Sequence, residues 1–208
     1  MRTIVYVDGF NLYFGSLRKR PWRWLDIDKA IRLHLAPFHR IEAIKYYSAK
    51  LNPRQGNPDQ PARQALYLRA LQTIPGLSIH LDHFLTKNVR MVIANPAPGG
   101  PTSIEVVKTE EKGSDVNLAT HMVHDAHCGL CECAVVLSGD SDLLEPVRIV
   151  KNELRKVVGV LNPQKHPCAV LKREATFYKH LRPGLLSKSL FADCLVDSRG
   201  EFHKPAAW

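Results

Sequence analysis

Four aspartates stand where apolar stretches of the sequence end or where helices are predicted to begin. Asp8 follows the β-branched run of residues 3–7, and Asp140 follows a second apolar run after a short Ser-Gly step. Asp115 and Asp142 stand at the starts of two predicted helices. Carboxylates brought together repel one another unless a cation neutralises them, and hard oxygen ligands suit Mg²⁺ or Mn²⁺. The spacing therefore predicts a divalent-metal site.

Some of these aspartates also have a structural alternative. Asp142 could cap the helix that begins at Leu143, and Asp115 could cap the helix that it opens. No such role is evident for Asp8 or Asp140, each of which follows a buried strand. Because independent caps would not be expected at three matching junctions, we favour the metal site.

Other polar residues near the acids could support the same chemistry. Asn11 could donate a hydrogen bond to a ligand or a bound water, or satisfy local backbone in the first turn of a helix. Ser138 could position a phosphate or a water, or act only as a turn residue. Lys112 could bind a substrate phosphate or be solvated, and Glu110 and Glu111 could add a metal ligand or a water-orienting base or end a strand in solvent.

Basic residues predict a polyanionic partner, nucleic acid first. The formal net charge is +9, although net charge speaks to association and not to fold. The residues that could contact phosphate are Arg18, Lys19, Arg20, Arg23, Arg54 and Arg63. Trp22 and Trp24 flank Arg23, and indoles can stack on unpaired bases. The alternative is a loop whose tryptophans anchor it to the core.

The apolar pattern predicts the scaffold that would position these side chains. We expect strands at residues 3–7, 41–49, 77–85, 131–137 and 156–161, and helices at 10–17, 26–35, 62–71, 114–127 and 143–154. This alternation implies an open, mainly parallel α/β sheet with right-handed crossovers. Ligands of such sheets sit at the carboxyl ends of the strands, where the aspartates are expected.

The domain organisation is predicted from where this alternation is interrupted. Residues 89–94 and 104–109 flank a segment rich in Pro and Gly, which indicates a β-hairpin insertion near 88–109. Beyond Pro163 the pattern weakens, so we expect one α/β domain over residues 1–163. Residues 164–208 would then be a C-terminal extension that packs on the domain or trails from it.

Several observations bear on the compartment. No apolar run approaches the roughly 18 residues that a membrane helix needs. The N-terminus becomes acidic too soon for a signal peptide and reads as a strand. The five cysteines are an odd number, and disulfides are rare in the cytosol. We expect a cytoplasmic protein without a membrane partner, and the sequence leaves the oligomeric state open, a homodimer being one alternative.

A second metal site is suggested by the cysteines at 128, 131 and 133, which follow three histidines on a predicted helix. Cys128 and Cys131 form a CxxC pair, but no second pair is present to complete a zinc site. Cys131 and Cys133 are expected on one face of a strand, where cysteine behaves as a small buried hydrophobe. We favour the buried, structural interpretation.

Three segments that carry the aspartates resemble the signature blocks of the NYN domain family. They are residues 7–12 (VDGFNL), 112–119 (KGSDVNLA) and 137–143 (LSGDSDL). This family is a branch of the PIN-like nucleases, and the resemblance to its bacterial LabA-type members extends roughly from Arg2 to Leu161. Ser114 stands where many relatives have a hydrophobic residue, a difference that leaves the acidic set intact.

The resemblance implies a PIN-like, three-layer α/β/α sandwich with a mainly parallel central sheet. It further implies a divalent-metal-dependent nuclease, most often an endoribonuclease, that hydrolyses phosphodiester bonds with a metal-activated water and acts on RNA more readily than on DNA. On matching positions, Asp8, Asp115, Asp140 and Asp142 would bind Mg²⁺ or Mn²⁺, supported by Asn11 and Ser138. The alternative is a nucleic-acid-binding or regulatory interaction module that retains the acidic pocket without turnover.

Overall fold

A seven-stranded sheet forms the centre of the computed structural model, which describes residues 1–53 and 56–208. The spatial order of its strands is β4-β3-β2-β1-β5-β6-β7. Five neighbouring pairs are parallel, and β4 runs antiparallel to β3. The strands are β1 (Arg2–Asp8), β2 (Arg40–Ala49), β3 (Leu77–Val92), β4 (Ser103–Lys112), β5 (Cys133–Leu137), β6 (Val157–Asn162) and β7 (Phe177–His180).

Helices connect the strands close to the positions predicted from the sequence. They are α1 (Gly9–Leu12), α2 (Ile27–His34), α3 (Gln60–Leu71), α4 (Ser114–His127), α5 (Leu144–Arg148), α6 (Ala169–Glu174) and α7 (Pro183–Leu186). The π-helical turns Tyr13–Leu17 and Ile149–Glu153 extend α1 and α5, and a separate hairpin contains β8 (Cys194–Asp197) and β9 (Gly200–His203). Helix α2 is capped by Asp26, whose carboxylate accepts a hydrogen bond from the Lys29 amide at 3.0 Å.

The central strands β1, β5 and β6 are apolar almost throughout because the sheet is covered on both faces there. Successive side chains of a strand point to opposite faces. Val5 and Val135 accordingly pack in one core with α1, α2 and α3, whereas Tyr6 and Val136 pack in a second core with α4, α5 and α6. This arrangement confirms the predicted α/β/α sandwich with a mainly parallel sheet. None of the helices in the described part of the chain is both long and apolar enough to cross a bilayer.

The β3–β4 hairpin differs from its prediction in one respect. Residues 77–85 and 89–94 were expected to form separate strands, but β3 runs unbroken from Leu77 to Val92. Residues 77–82 pair with β2, and residues 83–92 pair with residues 103–112 of β4. Since β4 supplies partners for the backbone groups that extend past β2, the strand has no reason to break. The hairpin consequently has longer arms than the predicted 88–109.

The buried face of α4 is also shifted from its prediction. The apolar pattern of residues 114–127 predicts a buried face that includes Val116, yet the exposed fraction of Val116 is 68%. Leu118, Met122 and Ala126 are buried instead, and their spacing of four residues places them on one face of the helix. Val116 lies two residues before Leu118 and therefore points away from the sheet.

Residues beyond 163 contribute to both the sheet and the core. Strand β7 pairs in parallel with β6 and closes that edge of the sheet. Phe191 packs against the buried ring of Trp24 at 5.7 Å between centroids, and Trp208 packs against the same ring at 6.1 Å. The division of the chain at residue 163 stays a prediction. The contacts with Trp24 show that the C-terminal residues pack on the side of the sheet covered by α1, α2 and α3.

A buried polar network joins α4 to the sheet. The Asp125 side chain accepts a hydrogen bond from the Tyr6 hydroxyl at 2.8 Å. It also forms an ion pair with the Lys45 ammonium at 2.6 Å. Asp125 is 2% exposed and Tyr6 is fully buried. The Tyr6 hydroxyl has no water to replace the carboxylate, whereas Lys45 keeps 21% of its side chain exposed, so the hydroxyl depends most on Asp125.

Replacing Asp125 with Ala should destabilise the fold by about 3 kcal/mol, because it leaves the buried Tyr6 hydroxyl unpaired and removes the partner of the largely buried Lys45 charge. The free energy of unfolding, measured by urea denaturation, tests this. Asp28→Ala is the matched control, since Asp28 pairs with Arg32 at 2.8 Å on the surface of α2. That variant should cost less than about 1 kcal/mol. Equal costs for the two variants would contradict the network.

Candidate metal centre

The four aspartates lie at the carboxyl-terminal edge of the sheet. Strands β1 and β5 are neighbours in parallel register, with Val7 opposite Leu137, so Asp8 and the turn after Leu137 emerge side by side. Strand β4 returns to the same edge, where Lys112 pairs with His83, and α4 begins directly after it. Asp115 is therefore delivered to the edge by the hairpin that interrupts the parallel pattern.

Asp8 is the most buried of the four, with an exposed fraction of 7%. Its carboxylate accepts a hydrogen bond from the Asn11 amide at 2.8 Å, which caps α1, and one from the Ser138 hydroxyl at 2.9 Å. The sequence suggested no structural role for Asp8, and this cap is one. Burial raises the pKa of Asp8 to about 6, with smaller contributions from the charges of Asp115 and Asp140.

Ser138 connects two of the acids. Its hydroxyl donates to Asp8 and accepts the backbone amide of Asp140 at 3.1 Å. The residue has no exposed surface. A direct contact with a substrate phosphate, as the sequence suggested, would require the hydroxyl to give up one of these bonds. Ser138 therefore acts as a positioning residue for Asp8 and Asp140 in this geometry.

Asn11 performs a similar task on the other side of the turn. Its side-chain oxygen accepts hydrogen bonds from the Gly139 amide and the Gln164 side chain, both at 2.9 Å. The oxygen is therefore committed to holding three segments together. Gln164 was missed by the sequence analysis, although its position just after β6, at the next strand end along the sheet, was a usable signal.

Asp140 and Asp142 differ in their local roles. The Asp140 carboxylate accepts the Asp142 amide at 3.0 Å and caps the 3₁₀ turn Ser141–Leu143. Asp142 itself is exposed, and α5 has no side-chain cap. The capping role considered for Asp142 thus belongs to Asp140, and the Asp142 carboxylate lies toward solvent.

Asp115 lies in the first turn of α4 without capping it. The helix follows Gly113, whose φ of 100° is in the left-handed region, and the Ser114 amide donates to the Glu111 carboxylate at 3.0 Å. The pKa of Asp115 is raised, first by burial and then by the negative charges of Asp140, Glu111 and Asp142. These carboxylates are therefore close enough to repel one another.

A further carboxylate at this edge escaped the sequence analysis. Asp82, where β3 leaves β2, accepts a hydrogen bond from the Asn117 side chain at 2.8 Å. A Cβ added to Gly113 would lie 2.7 Å from its Oδ1 atom, so only glycine fits beside it. Asp82 thus fixes the junction from which Asp115 projects. Its position in an alternating strand gave no distinguishing signal.

The donor set fits a hard divalent cation. Its ligands are carboxylate oxygens, their mutual repulsion calls for a positive charge, and Asp140 and Asp142 retain exposure that permits rotation. However, no three of the four aspartates, all of which the structure describes, have carboxylate oxygens that all lie within 4.8 Å of one another. Among the described residues, the group whose ligand atoms all lie within 4.8 Å of one another is Cys194, Glu201 and His203, exposed on the β8–β9 hairpin. The aspartates would therefore have to rotate to close on one ion.

The predicted phosphate-binding residues have varied surroundings. Lys112 is half-exposed and pairs with Glu110 at 3.2 Å. Arg18 is exposed beside the ring of Phe14, with 5.5 Å from its guanidinium carbon to the ring centroid, and Arg20 is also exposed. These residues keep their charges at the surface. Arg54, also considered for this role, lies outside the described residues.

Arg23 and its flanking tryptophans are more enclosed. The Arg23 guanidinium donates to the Ala207 carbonyl at 2.6 Å. Trp24 is 1% exposed and donates its indole N–H to the Ala192 carbonyl, while Trp22 donates to Ser16. Stacking of Trp24 on a base is therefore excluded, and the alternative of a core-anchored loop holds for it.

The three clustered cysteines do not share a ligand set. Cys131 and Cys133 are fully buried, and they belong to the two separate cores. The expectation that they share one face of a strand was wrong, because β5 begins only at Cys133. Cys128 is exposed, with its sulfur 3.7 Å from the Nε2 atom of His124. Within the described part of the chain, the three cysteines do not belong to any group of three or more ligand atoms that all lie within 4.8 Å of one another.

Two comparisons with individual proteins give different kinds of information. The chain is 26% identical over 235 residues to 6-hydroxy-3-succinoylpyridine 3-monooxygenase HspA of Pseudomonas putida, an alignment that covers all of this chain and 75% of that protein. Among solved structures it is similar to VPA0982, a protein of unknown function from Vibrio parahaemolyticus. The TM-score is 0.57 at 15% identity, with 88% of this chain and 93% of that chain covered. This second likeness concerns the fold alone.

The family comparison covers most of the chain. The model of the NYN domain matches residues 2–182, a range that includes all four aspartates and strand β7. The resemblance noted in the three sequence blocks is thereby confirmed. This chain belongs to the NYN domain family, a PIN-like nuclease family.

Proposed function

We propose that this protein is a divalent-metal-dependent endoribonuclease whose metal ligands are Asp8, Asp115, Asp140 and Asp142. The observation that carries the proposal is the placement of these carboxylates at one edge of the sheet, where burial and then the charges of Asp140, Glu111 and Asp142 raise the pKa of Asp115. Membership of a PIN-like nuclease family supports hydrolysis of phosphodiester bonds. Mg²⁺ and Mn²⁺ are the ions whose preference for oxygen ligands fits the set.

Each residue has a defined task in this proposal. A divalent cation, when bound, would acidify a water molecule and offset the charge that develops on the phosphate. Asp8 is held by Ser138 and by the α1 backbone, so it supplies a fixed oxygen at the base of the site. Asp140 is oriented by the same serine, through its own backbone amide. The exposed Asp142 and the half-buried Asp115 complete the ring from the other side.

The proposed substrate is inferred from the positive charge of the protein and from its membership of the NYN domain family. A net charge of +9 and the exposed Arg18 and Arg20 near the first helix favour a polyanion. The half-exposed Lys112, three residues before Asp115, adds a further basic group. We propose RNA in preference to DNA because the family resemblance points to RNA cleavage.

A second candidate comes from the Pseudomonas relative, which is named as a monooxygenase of a substituted pyridine. An aromatic-lined cavity of about 460 Å³ beside the acids has the size of a small-molecule pocket. Oxygen uptake with 6-hydroxy-3-succinoylpyridine and a nicotinamide or flavin reductant tests this activity. Substrate-dependent uptake together with intact RNA would favour the oxygenase over the nuclease.

Asp140→Asn should abolish RNA cleavage while the protein stays folded. Asparagine is also a good capping residue, so the 3₁₀ turn is preserved, but the charge that would hold the cation is lost. We expect turnover of a labelled RNA in Mn²⁺ to fall by at least about a hundredfold. Asp28→Asn, on the surface of α2, serves as the control for contaminating nuclease and should leave the rate unchanged. Equal cleavage by both variants would contradict metal-dependent cleavage through Asp140.

Asp8 should make the metal-free protein less stable as the pH rises. Its pKa of about 6 in the folded state exceeds the ordinary value of 3.8, so the folded state binds the proton more tightly than the unfolded state does. Stability is then lost between about pH 4 and about pH 6, by up to about 3 kcal/mol at 1.36 kcal/mol per unit. The variant Asp8→Asn lacks this pH-dependent contribution to stability, because asparagine does not titrate.

The measurement is urea denaturation of both proteins in EDTA at pH values on either side of that window. Groups away from the acidic edge titrate equally in the two proteins, so the difference between their unfolding free energies isolates Asp8 together with its coupling to Asp115 and Asp140. It should shift in favour of Asp8→Asn as the pH rises. A difference that does not change with pH would show that the Asp8 carboxylate is not buried as described.

A further inference from the structure

A cavity of about 460 Å³ opens beside the acidic edge. Its walls come from α1 and the π-helical turn after it, the end of β2, α3, and the base of the β3–β4 hairpin. Gly9 lines it and directly follows Asp8. Glu111 also lines it, and the Glu111 charge acts on Asp115. The cavity and the acidic edge are therefore continuous.

One wall of the cavity is aromatic. Phe10 packs edge-on against Phe84 of the hairpin at 5.6 Å between ring centroids, and it lies nearly parallel to Phe14 at 6.5 Å and 22°. Phe14 keeps 58% of its surface exposed although it lines the cavity. Exposed aromatic faces of this kind bind planar heterocycles by stacking. The exposed surface of Phe14 is not covered by the hydrophobic core.

Another wall carries positive charge and an unsatisfied donor. Arg23 and Arg63 both line the cavity. Among the described residues, the buried Nε atom of Arg23 has no hydrogen-bond partner, although its neighbouring Nη2 atom donates to the Ala207 carbonyl. Two guanidinium groups on one wall favour a ligand that carries negative charge.

We propose that this cavity takes one unpaired nucleobase of the RNA strand whose phosphodiester lies at the aspartates. The base stacks on Phe14 and Phe10, and the adjoining phosphate faces Arg23 and Arg63. This inference rests on the proposed nuclease function and adds that the substrate is single-stranded at the site. A base within a duplex is paired and stacked on its neighbours, so it could not enter.

The test measures binding of a short, labelled single-stranded RNA by fluorescence anisotropy in EDTA, which prevents metal-dependent cleavage. Phe14→Ala should weaken binding by about fivefold or more, the effect of losing one base–aromatic stack. Phe38→Ala is the matched control, because Phe38 is 61% exposed before β2, at the opposite edge of the sheet. It should bind as the wild type does. Since Phe14 is itself exposed, its removal leaves the core intact.

A second measurement ties the effect to a base. RNAs with an abasic site at successive positions should show one position whose loss weakens binding to the wild type but not to Phe14→Ala. Equal affinity of wild type and Phe14→Ala, no such position, or no binding of single-stranded RNA by the wild type would each overturn the pocket.

The two proposals fail separately. Cleavage that depends on Asp140 but is indifferent to Phe14 and to abasic sites would retain the nuclease and remove the pocket. Base-dependent binding through Phe14 without any cleavage in Mn²⁺ would retain the pocket and remove the nuclease. Equal weakening with a fully double-stranded RNA would show that Phe14 contacts the backbone and would also overturn the base pocket.

Discussion

The parallel pairing of β1 with β5 is the constraint on which the site depends. It places the end of β1 beside the turn that follows β5, so one buried hydroxyl, that of Ser138, can bond both Asp8 and the backbone of Asp140. Asn11 completes the connection by holding the Gly139 amide. A shift of one residue in this register would turn every core side chain of β5 to the other face, so the core and the acidic edge are specified together.

The fold stabilises carboxylates that repel one another at the acidic edge. Asp8 is buried with a pKa raised to about 6, and Asp115 feels the charges of its neighbours. Two apolar cores, one on each face of the sheet, offset this cost. The same arrangement explains why Ser138 and Asn11 are engaged with protein groups: they fix the direction of the acids and leave less freedom for direct contact with a substrate. Support of this kind, from residues around the acids, would preorganise the proposed cation site.

The β3–β4 hairpin has two consequences for this edge. Its return strand delivers Asp115 and Glu111 to the acids, through a glycine that fits beside Asp82. Its base also brings Phe84 against Phe10 and so forms part of the aromatic cavity. One insertion thus shapes both the acidic set and the space beside it, which links the proposed chemistry to the proposed recognition of a base.

The sequence by itself determined the open, mainly parallel α/β sheet, the order of most elements up to β6 and the strand ends at which Asp8 and Asp140 lie, because buried parallel strands read as continuous apolar runs between helices of a different period. Only the tertiary structure decided that β3 is unbroken, that Val116 faces solvent and that Trp24 belongs to the core. It also decided the roles of Ser138 and Asn11, whose partners Asp8 and Gln164 lie more than a hundred residues away along the chain. Contacts between such distant residues leave no periodic signal in the sequence, since they depend on which strands become neighbours and not on local preference.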